Sequence, residues 1–128
     1  MEADLVLIAD YANIEKSGKL NVMGIFREIG ATSFPARHPE MHVVVALRAS
    51  AAERGHTRKL SIRLIGEDGE TVVDWSRLID VPKGAGETQV NQILRLRDVV
   101  FPVQGEYSCH VLVDDDDKRE TPITLKKL

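Results

Sequence analysis

The sequence predicts an all-β chain, an antiparallel β-sandwich of about eight or nine strands, immunoglobulin-like or jelly-roll-like in kind. Three observations carry that expectation. Apolar residues recur at every second position in one run after another. Clusters of Gly, Pro and Asp separate these runs at intervals of about 8–12 residues. No segment sustains the apolar period of an amphipathic helix.

Taken in order, Ala3 to Ala12 is apolar on both faces. Leu5, Leu7, Ala9 and Tyr11 alternate against Val6, Ile8 and Asp10, the pattern of a strand covered on both sides. Glu15 to Gly18 reads as a turn, and Lys19 to Phe26 alternates again, so the chain should open with a β-hairpin. Arg27 to Pro39 is less regular. A short strand is expected near Ala31 to Phe34, while Pro35 and Pro39 keep the stretch extended and unfit for a helix interior. His42 to Ser50 is a strand, and Ala51 to Gly55 is a loop or one helical turn.

Arg58 to Ile65 has the sharpest alternation, with Leu60, Ile62 and Leu64 inward and Lys59, Ser61 and Arg63 outward. Gly66-Glu67-Asp68-Gly69 contains Asp-Gly, a strong hairpin signal, and Glu70 to Val81 is the returning strand. Pro82 to Gly86 is a loop, Thr88 to Phe101 a strand ending before Pro102. Glu106 to Val113 sets Tyr107, Cys109, Val111 and Val113 on one face. Asp114 to Lys118 reads as a turn, and the last strand, near Arg119 to Lys126, points Thr121, Ile123 and Leu125 inward. With no linker, repeat or low-complexity tract, residues 1–128 are expected to form one sandwich domain. At the closing hairpin, Tyr107 is placed to send its hydroxyl back to the chain in a tyrosine corner; the plainer role is an inward core aromatic.

Composition narrows the function. The net charge is −3, and no basic stripe stands out, so nucleic-acid binding is not expected. Cys109 is the single cysteine, which suits a reducing compartment. The opening Met-Glu-Ala-Asp lacks a leader pattern, and no apolar run approaches the ~20 residues of a membrane span. The expected location is the cytoplasm, with no membrane contact.

His38-Pro39-Glu40-Met41-His42 is the most tempting motif. Its order is not His-Glu-x-x-His, and Pro39 excludes the helix that would bring the two imidazoles together. An extended chain sets them roughly 13 Å apart, at about 3.3 Å per residue. A loop entering a strand is the plainer reading. Asp114-Asp115-Asp116-Asp117 could hold Ca²⁺ if a second loop, such as Glu67 to Glu70, lay at the same end; a solvated turn is the plainer reading. The metal candidates are therefore His38, His42, Asp114, Asp115, Asp116 and Asp117, each outweighed by its plainer reading. Cys109 and His110 are strand neighbours and must face opposite sides, so they cannot act as nucleophile and base together. Gly84-Ala85-Gly86 has no helix after it and is no phosphate loop. Asp10, Asn13, Asn91 and Gln92 read as braces before they read as pocket residues, and Trp75 as a core residue before a binding one. No catalytic residue and no cofactor are expected.

Several stretches resemble an uncharacterised family of short bacterial and archaeal β-rich proteins, a domain of unknown function. These are Ala9-Asp10-Tyr11-Ala12-Asn13 and Gly18-Lys19-Leu20-Asn21-Val22-Met23-Gly24-Ile25-Phe26, with Phe34-Pro35-Ala36, His38-Pro39, Asn91 to Leu94, Phe101-Pro102, Gly105-Glu106-Tyr107, Val111 to Val113 and Thr121 to Ile123. The resemblance implies a free-standing β-rich protein and carries no activity, cofactor or site. The run Asp114 to Asp117 departs from it, since a shorter Gly-containing turn is expected there.

The function expected from the residues is a non-enzymatic binding or assembly module acting through loops or an edge strand, with a protein partner or self-association. The alternative is a small-ligand- or metal-binding protein, with an enzyme as one form of it. The balance leans against an enzyme.

Overall fold

The computed structural model describes residues 1–128. It holds nine strands and one 3₁₀ turn: β1 (Glu2–Ile14), β2 (Leu20–Ile25), β3 (Glu28–Ala31), β4 (Ala36–Ala49), the turn Ala51–Glu53, β5 (Thr57–Gly66), β6 (Thr71–Asp80), β7 (Thr88–Phe101), β8 (Gly105–Val113) and β9 (Asp116–Lys127). They form two packed sheets, ordered β2-β1-β4-β7 and β3-β9-β8-β5-β6. Every pairing is antiparallel except β3 with β9. The architecture is the expected antiparallel β-sandwich. No helix is long and apolar enough to cross a membrane.

The core lies between the sheets. Val43, Val45 and Leu47 of β4 meet Leu60, Ile62 and Leu64 of β5 and Cys109, Val111 and Ile123 of β8 and β9, all almost fully buried. Each such side chain contributes about 1.5–3 kcal/mol relative to exposure. Tyr107 takes the tyrosine-corner position. Its hydroxyl donates to the Val103 carbonyl at 2.5 Å and accepts from the Val103 N–H at 3.3 Å, while its ring stands edge-on to Phe101 at 5.1 Å. Burial, and the field of Glu70, Asp68 and Glu67, raise its pKa, with the Val103 contact opposing.

Three boundaries differ from the sequence expectation. The short strand is Glu28–Ala31 rather than 31–34, because Ile29 pairs with Leu125 and faces inward beside β9. Strand β4 begins at Ala36 and runs through Pro39, six residues before the expected start. Proline is tolerated there because β1 pairs with β4 only from His42 onward, so Pro39 lies where β4 is still an edge on that side. Opposite it, Asp98 has φ 53, and the inward residues of β7 change from Leu94 and Leu96 to Val99 and Phe101. Finally, the turn before β9 is only Asp114 and Asp115, with φ 50 and 66, as a two-residue type I′ hairpin requires. Asp116 and Asp117 are already in β9.

The opening hairpin does not simply extend its sheet. The Asn91 side-chain amide donates to the Gly18 carbonyl at 3.1 Å, although β7 lies two strands away from β1. Ser17, Gly18, Lys19 and Leu20 sit over Leu5 and Ala46. The hairpin therefore arches back across the outer face of the four-stranded sheet. Val44, Ala46 and Ala9 are buried there, apart from the inter-sheet core. This is why β1 reads as apolar on both faces.

Candidate interaction edge

The two histidines of the motif are separated by the fold. His38 pairs with Val99 and shares its inward side, half-buried, with its ring 5.6 Å from that of Phe26. His42 faces outward beneath the hairpin, 5% exposed, donating from Nδ1 to the Asp10 carbonyl at 3.1 Å, with the Tyr11 ring edge-on at 5.4 Å. His38 instead lines a shallow pocket with Asp10, Phe26, Glu28, Ile29 and Gly30.

The acidic run is spent on ion pairs. Asp114 accepts the Lys59 N–H and lies 3.5 Å from Arg58; Asp115 meets the Lys59 ammonium at 2.6 Å, and Asp116 meets Lys118. The Lys59 contact holds the Asp115 carboxyl below the usual range. Asp117 meets Nδ1 of His110 at 2.8 Å, and Glu120 meets its Nε2 at 3.3 Å. Because Gly66 pairs with Tyr107 while Leu60 pairs with Val113, the turn at Glu67 to Glu70 lies at the opposite end of β5 from Asp114. The two acidic loops do not meet. No group of three or more His, Cys, Asp or Glu side chains comes together in a metal-binding arrangement.

Cys109 points into the core, where burial pushes its thiol up to about 12, so it carries no thiolate at neutral pH. His110 faces out, as strand alternation requires. Trp75 packs half-buried against the core under the Arg77 guanidinium, 5.0 Å from its ring. Of the four polar residues, Asn13, Asn91 and Gln92 act as braces, while the Asp10 carboxylate lines the pocket beside His38. Asn21 donates to Asn13 Oδ1 at 2.9 Å across the hairpin, Asn91 holds the hairpin tip, and Gln92 accepts from Arg77.

What the residue patterns did not single out is the free edge of β2. Four strands border the sheets: β2, β7, β3 and β6. Natural edges are blunted by charge, shortness or bulges. Strand β7 carries Arg95, Arg97 and the kinked Asp98; β6 carries Asp74, Arg77 and Asp80; β3 has four residues including Glu28. Strand β2, Leu20-Asn21-Val22-Met23-Gly24-Ile25, has no charge and no proline. The signal was present in the sequence as an uncharged stretch between Lys19 and Arg27.

The geometry of β2 leaves hydrogen-bonding groups open. Glu15 N–H donates to the Lys19 carbonyl at 2.9 Å, closing the hairpin on a hydrogen-bonded pair. Antiparallel alternation then bonds Asn21 to Asn13 and Met23 to Tyr11, and turns the N–H and C=O of Leu20 and Val22 to the open side. Beside that edge, the outward side chains are apolar: Met23 is 65% exposed, Ile25 58% and Tyr11 48%. Gly24, at φ 70, lets the strand pass the Asp10 carboxylate, which would lie 2.5 Å from any Cβ.

A model of a family of unknown function, DUF6941, matches residues 4–126. No curated protein is recognisably similar in sequence. Among solved structures, the chain is similar to the Pseudomonas fluorescens alkylpurine DNA glycosylase AlkC bound to DNA containing an abasic site analog, with TM-score 0.51 and 12% identity. That match covers 94% of this chain but 30% of the glycosylase, so it bears on the fold alone. An immunoglobulin-like protein from Pseudomonas aeruginosa is 15% identical with TM-score 0.45, over 98% of this chain and 95% of that one.

Proposed function

We propose that this chain, which belongs to the DUF6941 family, is a binding and assembly module that engages protein through the free edge of β2. One observation carries the reading: β2 alone among the border strands has neither charge nor proline. An incoming strand would complete the open backbone groups of Leu20 and Val22 and cover the apolar row of Tyr11, Met23 and Ile25. A cytoplasmic setting belongs to the same proposal, supported by the single buried thiol. The net charge of −3 favours a protein partner over nucleic acid.

The test is affinity capture from cell extract with the wild-type chain and with Met23→Lys as baits, counting untagged copies of the chain among the proteins retained. Proteins held by the first bait and lost from the second support the proposal. Identical retention by both contradicts it.

A further inference from the structure

We propose that the partner of β2 is β2 of a second copy of this chain, paired antiparallel about a two-fold axis at Val22, so that the two opening hairpins join into one four-stranded ribbon. The inference rests on the binding-module reading and names its partner.

Symmetry limits the possible registers. A two-fold perpendicular to a sheet requires residues directly opposite each other to share a face, so each residue of β2 must meet one of the same parity. Two registers place the axis near the middle of the strand. Centring on Met23 sets Lys19 of one copy opposite Arg27 of the other, a like-charge pair that opposes association. Centring on Val22 sets Lys19 opposite Ile25 and leaves no like charges facing each other.

The Val22 register also uses the groups that the hairpin leaves open. Val22 exchanges both backbone hydrogen bonds with its symmetry mate, and the ladder ends on either side of that pair, because at Gly24, with φ 70, the alternation breaks and Phe26 turns its N–H back to the Ile8 carbonyl. On the outward face, Asn21 meets Met23, so the exposed apolar row of each hairpin continues into the other. The chain as a whole repels its copies weakly, at −3, and β2 is the border where that repulsion is absent. An edge of this size gives a modest interface, below ~1,200 Å² in total, and hence a reversible dimer.

The experiment is oxidative cross-linking of Val22→Cys. A hydrogen-bonded antiparallel pair sets the two Cα atoms about 5.5 Å apart, within disulfide reach, and the one native thiol, Cys109, is buried. The expected result is a covalent dimer from Val22→Cys and none from Leu78→Cys, at an exposed position on β6. Hydrogen exchange on the unmodified chain gives a second readout: the Val22 amide becomes protected as concentration rises. A chain that stays monomeric, with this amide exchanging freely and no cross-link, overturns self-pairing. If extract capture is still lost with Met23→Lys, only the choice of partner has failed; if capture is also unchanged, the binding-module reading fails with it.

Discussion

The chain opens and closes on hairpins, and the two are finished differently. In the closing hairpin, β9 lies between β8 and β3, so the backbone on both its sides is paired near its end. Its turn is dense in charge, yet Lys59, Arg58, Lys118 and His110 answer each carboxylate. In the opening hairpin, β2 has β1 on one side and nothing on the other, and no charge guards it. The same motif therefore does two jobs. The closing hairpin secures the domain, and the opening hairpin holds one edge ready for another chain. Variants of the first should change stability and leave association alone; variants of the second should do the reverse.

The largest effect expected is on association. Met23→Lys places two ammonium groups on one face, diagonal across the two-fold, and should weaken the dimer by about 100-fold or more, while thermal unfolding of the monomer is unmoved because the side chain is exposed. Sedimentation over a concentration series measures this.

Next in size is Glu53, at the end of the molecule that carries the closing turn. Burial raises its pKa, but the Ser50 N–H, the N-terminal ammonium at 3.0 Å and the Ser50 hydroxyl outweigh it and hold the carboxyl at about 2. Because the folded value lies below the unfolded one, its stabilisation is present above the unfolded value of 4.5 and is lost as pH falls toward about 2. Glu53→Gln should cost about 2–3 kcal/mol at pH 7 and flatten the acid limb of the stability curve over that range. Denaturant titrations at several pH values check it, and the dimer constant should not move.

Tyr107→Phe is expected to cost about 1–2 kcal/mol, by leaving the Val103 groups without their partner. The smallest effect belongs to the acidic turn. Asp115→Asn breaks an exposed pair with Lys59 and should cost under ~0.5 kcal/mol. Its thermal midpoint should match wild type closely, and added Ca²⁺ should shift neither protein.

Much of this was legible in the residues. The alternation of Leu60, Ile62 and Leu64, the Asp-Gly turn and the inward set of Tyr107, Cys109 and Val111 all follow from local rules, and the structure keeps them. The start of β4 was not legible, since Pro39 is allowed only by where β1 begins to pair, a tertiary fact. Nor was the extent of β9, because four consecutive Asp residues read locally as a turn, and only Lys118, two residues on along β9, and His110, on the neighbouring β8, give Asp116 and Asp117 partners in a strand. That His38 and His42 face opposite sides depends on the change of inward parity opposite Asp98, which no local pattern announces. The open edge was half visible: the absence of charge in β2 is written in the sequence, but that β2 is a border strand is a property of the sheet order.

The most direct test of the central claim is native mass spectrometry of the purified wild-type chain beside Met23→Lys. Pairing through β2 gives a wild-type population at twice the 14.2 kDa chain mass, growing with concentration, and a Met23→Lys protein that stays at the single-chain mass. Wild type and variant with the same mass distribution at every concentration would contradict it.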